Sequence, residues 1–202
     1  MIQSQKLKAR DYITIGLYTL LIYLVNAIVG MALSPAMFVA MPFLSGVCLF
    51  FSSIVYLLMA VKVGKKGAML LMAAVTGLIY TLMGIVLMLP YFILAGIVGE
   101  LVLWKGDGSQ YRKIKRQSFA YAAYGSLFGV GNFMAIYVMG TGLFEKFNYS
   151  SELIKRMIYF AYSPLWMAAG LLFSFVVTLL GCYISSRMLK KHFVKAGYLA
   201  NY

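Results

Sequence analysis

The chain has 202 residues, of which 63% are hydrophobic and 11% charged, and its formal net charge is +13. Soluble domains carry about a quarter charged residues, so this composition excludes an ordinary water-soluble fold. The basic residues form no amphipathic face and lie between apolar runs, which sets nucleic acid aside as a partner and makes the cations a threading signal in a lipid bilayer.

A helix rises about 1.5 Å per residue, so about 20 apolar residues cross a hydrocarbon layer of about 30 Å. On that measure the sequence predicts an all-α integral membrane protein, one domain over 1–202, with six transmembrane helices. The first runs from Tyr12 to Leu33 and stops at Ser34-Pro35. The second covers Met37 to Val61, with Pro42 in its opening turns, where a missing N–H is tolerated. The third spans Ala68 to Leu89 and is ended by Pro90. The fourth, Tyr91 to Trp104, is short, at about 14 residues and about 21 Å. The fifth covers Ser118 to Thr141 and the sixth Ser163 to Met188. Between these last two, Phe144 to Tyr162 sets Leu153, Ile154, Met157 and Ile158 beside Glu152, Lys155 and Arg156. That rhythm predicts a short amphipathic helix lying at the extracellular interface.

Threading follows from counting cations by side. Six crossings put Lys6, Lys8, Arg10, Lys62, Lys65, Lys66, Lys105, Arg112, Lys113, Lys115, Arg116, Arg187, Lys190, Lys191 and Lys195 on one face, 15 in all, against Lys146, Lys155 and Arg156 on the other. Both termini are therefore expected in the cytoplasm. The first apolar run is too long for a signal peptide and lacks a small-x-small cleavage site, so it reads as a retained helix.

Chemistry is scarce. Glu100 is the one acid near an apolar run's interior, and its place toward the run's basic end suggests pairing with Lys105 or the loop beyond. There is no glycine-rich phosphate loop with lysine and hydroxyl, no His-Glu-x-x-His run, and no histidine inside an apolar stretch. The lone His192 sits among lysines, as solvated surface. Cys48 and Cys182 lie in apolar runs without ligand-like spacing, as core thiols do. No enzymatic residue, metal or cofactor is expected. Small residues recur along the sixth helix (Gly170, Ser174, Thr178, Gly181, Ser185), a pattern that lets membrane helices approach closely. Asn26 and Asn132 are amides within apolar helices, and interhelical bonding and ligand contact both suit them.

Four strings in order, KLKARDYITIG (6–16), KVGKKGA (62–68), GEL (99–101) before basic sequence, and KKHFVKAG (190–197), resemble the MptD-like (Trep_Strep) membrane proteins. These are classed as S components, the substrate-binding subunits of energy-coupling factor (ECF) transporters. The resemblance covers essentially the whole chain. It implies six helices in a bacterial plasma membrane, holding a micronutrient at the extracellular end. It also implies a transmembrane T component and two cytoplasmic ATP-binding subunits as partners. Such subunits meet the T component through small residues four apart on the first helix. Gly16 matches that pattern and Leu20 departs from it, leaving Thr19 or Tyr23 to complete the surface. For the solute, the outward-side residues are Asn26, Tyr91, Asn132, Tyr159, Tyr162 and Trp166, with Glu152 and Arg156 as a lid. A tetrapyrrole or metal complex is the alternative cargo. A structural or assembly protein, whose polar residues only pack, is the alternative of another class.

Overall fold

The computed structural model describes residues 6–146 and 148–191, apart from the side chains of Asn132 and Leu143. Of the sequence features above, Lys195, His192 and most of the KKHFVKAG string lie outside the described residues, as does the Asn132 amide. Regular structure within them is helical: α1 (Ala9–Ala32), α2 (Met37–Val63), α3 (Ala68–Leu82), α4 (Met88–Leu103), α5 (Ile114–Met139), α6 (Gly142–Lys146), α7 (Ser151–Ala161) and α8 (Pro164–Leu189). Short 3-10 turns stand at Ser34–Ala36 and Ser109–Tyr111.

Three helical stretches are long and apolar enough to cross a membrane: α1, α8, and α2 with the turn before it. The Ile114–Gly131 and Phe133–Met139 parts of α5 meet at 42° and together would make a fourth. With 15 and 16 residues, α3 and α4 reach only about 22 and 24 Å. Length and composition thus support three or four crossings where six were expected.

The shortfall begins at Leu82. The third helix was expected to continue to Leu89, because the sequence stays apolar throughout. Instead Met83 caps α3, and Gly84 takes a left-handed φ of 96° that turns the chain back. Pro90 does not end a helix. It is the third residue of α4, where the first N–H groups have no partner within the helix and a proline forfeits nothing. A break also falls inside α2, where Ala40 leaves helical geometry (φ −133°, ψ 18°) two residues before Pro42.

Small residues set the packing. A Cβ on Gly181 would stand 2.7 Å from the Phe50 carbonyl, and one on Gly170 would stand 2.9 Å from that of Pro42, so α8 lies almost backbone to backbone on α2. Along the other edge of α8, Gly125 of α5 faces Thr178 and Gly129 faces Ser174. The stripe expected on the last helix is therefore the seam joining α8 to both neighbours, with Ser174 and Thr178 wholly buried. Gly77 and Gly96 bring α3 and α4 together in the same way, against Leu89 and Ala73.

The cation clusters converge on one end of the bundle. Lys65 pairs with Asp11 at 2.5 Å, Lys62 lies over the Tyr18 ring, Lys66 over Trp104, and Arg112 packs against Gly64. At the opposite end α7 forms the expected amphipathic helix. Ser150 accepts a hydrogen bond from the Leu153 N–H to start it. Its buried face carries Ile154, Met157 and Phe160, the last two packed with Met41, Val130 and Phe133, while Glu152, Lys155 and Arg156 face outward.

Candidate functional site

Two small cavities adjoin inside the bundle. The first, of about 10 Å³, is lined by Ile22, Tyr23, Asn26, Leu49, Thr76, Tyr80, Tyr124 and Phe128. The second, of about 60 Å³, shares Tyr80 and Phe128 and continues past Phe92 and Gly131 to Ile85 and Phe144. Among the described residues, neither lining contains a charged one. Volumes of this size hold a water or two, so admitting an organic solute requires lining side chains to move aside.

Aromatic rings give these cavities their walls. Tyr80 stacks on Phe92 (5.5 Å, 22° between planes), and Phe92 touches Tyr124 and Phe128. Toward the basic end the column continues through Tyr124 to Tyr121 and Tyr56, the last two stacked at 3.9 Å and 5°. There the hydroxyls are satisfied: Tyr56 donates to Gln117 Oε1, Gln117 donates to the Tyr111 carbonyl, and Ser52 bonds Tyr121.

Around the first cavity the polar groups differ. Thr76 donates to the Met72 carbonyl and Tyr23 to the Met83 thioether. Asn26 Oδ1 is buried and has no partner. The hydroxyls of Ser174 and Thr178 are also unpartnered, but they are sealed in the α5–α8 seam against Gly129 and Gly125. Asn26 alone of these three lines a cavity with aromatic walls. An acceptor oxygen among ring faces suits a planar, uncharged solute with an N–H or O–H donor.

The residues expected to hold solute do not form one group. Asn26 lines the first cavity, and Tyr91 stands beside Phe92 and Gly131 of the second cavity's lining, with its hydroxyl spent on the Leu127 carbonyl. Trp166 lies elsewhere, edge-on to Phe43 and Phe160 under α7. Tyr159 and Tyr162 are 56% and 66% exposed. Glu152 and Arg156 ride on the outer face of α7, which covers the Met41–Phe133 cluster and not the cavities. Phe144 of α6 and Ile85 line the second cavity.

The expected partner surface on α1 also divides. Thr19 is buried and donates to the Ile15 carbonyl, and Tyr23 turns inward to the cavity. Leu20 is exposed, and a Cβ on Gly16 would meet nothing within 4 Å. That leaves Gly16 and Leu20 on the outer side, continuous with exposed Ile13, Leu17 and Leu24.

Glu100 does not pair with Lys105. Its carboxylate lies near the backbone of Gly67, Met69 and Leu70 at the start of α3 and near Lys66, and its Oε1 is buried with no hydrogen-bond partner. Gly67, the residue before α3, has no side chain to cap that helix, and the acid from α4 stands near its positive end. Among the described residues, no three of His, Cys, Asp or Glu come together as a metal site would require.

A family model described as a hypothetical bacterial integral membrane protein (Trep_Strep) matches residues 9–195. No curated protein and no solved structure matches the chain.

Proposed function

The chain belongs to the Trep_Strep family of bacterial integral membrane proteins, and on that premise we propose that it is the solute-binding S component of an ECF-type importer. In this reading α3 and α4 are short crossings, making six in all, and the basic end of the bundle faces the cytoplasm. The 15-to-3 division of cations supports that orientation. The solute enters from the opposite end, past Phe144 and Ile85. A T component docks on the outer side of α1 around Gly16 and Leu20, and two ATP-binding subunits drive the cycle.

The observation that carries the proposal is the unpartnered Asn26 oxygen on an aromatic, charge-free cavity. A protein that used Asn26 only for packing would be expected to pair it, since an unsatisfied buried amide costs about 1–3 kcal/mol. Charge-free walls also leave the bundle little to desolvate as it reorients in lipid.

The test is co-expression of the tagged chain with a T component and two ATP-binding subunits. The expected result is a stoichiometric complex and ATP-dependent uptake in vesicles, with no uphill uptake by the chain alone. Recovery of the chain with neither partners nor solute would favour the structural or assembly reading. A visible absorbance band on co-purified material would mark the cargo as a tetrapyrrole or metal complex.

A further inference from the structure

Outside the bundle core the structure holds a cavity of about 540 Å³, several-fold larger than either internal one. Its lining among the described residues is Lys113, Ile114, Lys115, Arg116, Phe119 and Lys190. The four cations are exposed. The ion pair among the described residues is Lys65–Asp11, so none of the four is neutralised by a carboxylate at contact distance. Asp107 lies near enough to Lys113 to feel its charge, and Arg116 is steadied by donating to the Val102 carbonyl.

The arrangement has a direction. Lys115 and Phe119 are four residues apart on α5, and so share a face. Lys190, just past the end of α8, closes the basic rim from the neighbouring helix. The half-exposed Phe119 ring lies one turn further into the apolar belt. Cations at the rim with an apolar wall below fit an amphiphile whose anionic head lies at the interface and whose chain runs along the helix. Basic pockets between membrane helices take anionic lipid headgroups in this manner.

We propose that this cavity is a binding site for an anionic phospholipid, with its phosphate held by Lys113, Lys115, Arg116 and Lys190 and an acyl chain against Phe119. The site is independent of the solute cavity and of any transport role.

Native mass spectrometry of the full chain in mild detergent tests it, with short-chain phosphatidylglycerol, short-chain phosphatidylcholine and glycerol phosphate as probes. Phosphatidylglycerol is expected to bind, phosphatidylcholine to bind at least tenfold more weakly, and glycerol phosphate not to compete. Each cation near the surface contributes about fivefold, so Lys115→Gln with Arg116→Gln should weaken phosphatidylglycerol about 30-fold. Phe119→Ser should weaken it as well, through the lost apolar wall. A Lys62→Gln with Lys66→Gln variant, with the same charge loss elsewhere on the basic end, should bind as the parent does. Equal binding of the two lipids, equal loss in both double variants, or displacement by glycerol phosphate at matched concentration would overturn the assignment. Elution profiles matching the parent confirm that each variant is folded.

Discussion

Tyr23, which lines the first cavity, donates its hydroxyl to the Met83 thioether at 3.1 Å, and this contact joins α1 to the turn between α3 and α4. The Tyr23 ring also stands edge-on to Tyr80, 6.1 Å between centroids, so one side chain holds both the turn and a wall. Beside it, the Cys48 thiol points to the Asn26 carbonyl from a position only 8% exposed.

Removing that hydroxyl should loosen the turn. A hydrogen bond of this kind contributes about 0.5–1.5 kcal/mol, so Tyr23→Phe is expected to raise the rate of Cys48 alkylation about 2- to 10-fold. Cys182, fully buried, serves as the internal reference and should stay unreactive. An unchanged Cys48 rate would show that Tyr23 does not gate access.

Glycines on the seam and on the outer face should behave oppositely. Gly181→Ala forces a methyl into the Phe50 backbone and is expected to destabilise the bundle by about 1–3 kcal/mol, seen as a lower unfolding temperature in detergent. Gly16→Leu meets open space and should leave that temperature unchanged while reducing recovery of a T component. Equal destabilisation by both would contradict the placement of α1's outer side.

Asp11 does two things at the basic end. It accepts from the Lys8 N–H at the start of α1 and pairs with Lys65 beyond α2. Asp11→Asn keeps a capping oxygen but removes the charge, and should cost about 1 kcal/mol, less in high salt. Asp11→Ala removes both and should cost about 2 kcal/mol, with a salt-independent remainder. Unfolding temperatures of the two variants at low and high salt separate these contributions.

Much of the fold can be read from the chain. The ends of α1, α2 and α8, the amphipathic α7 and the small-residue seam follow from apolar length, helical period and the spacing of Gly170, Ser174, Thr178 and Gly181. The end of α3 cannot be read this way, because Met83 to Leu89 is as apolar as the helix before it and Gly84 alone signals the turn. Pro90 misleads for a related reason: a proline opening a helix and one ending the previous helix look alike in sequence.

The candidate site was legible only where polarity stood out. Asn26 is conspicuous in an apolar helix. Tyr80, Tyr124 and Phe128 are not, since an aromatic residue lining a cavity and one facing lipid carry the same apolar signature. Tyr159, Tyr162 and Trp166 share one side of the membrane in the six-helix threading, whereas the cavity is built by contacts between helices distant in sequence. Phe144 was visible only as part of the expected surface helix.

In the proposed function the Asn26 oxygen meets a solute, and native mass spectrometry of the chain purified in mild detergent reads that contact. The parent protein is expected to carry a small-molecule adduct and Asn26→Leu to lose it; with both proteins stripped of ligand, the variant should unfold at the higher temperature, because an unpaired buried acceptor worth about 1–3 kcal/mol has been removed. An Asn26→Leu protein that keeps the adduct, or a ligand-free parent that the substitution destabilises, would overturn this reading.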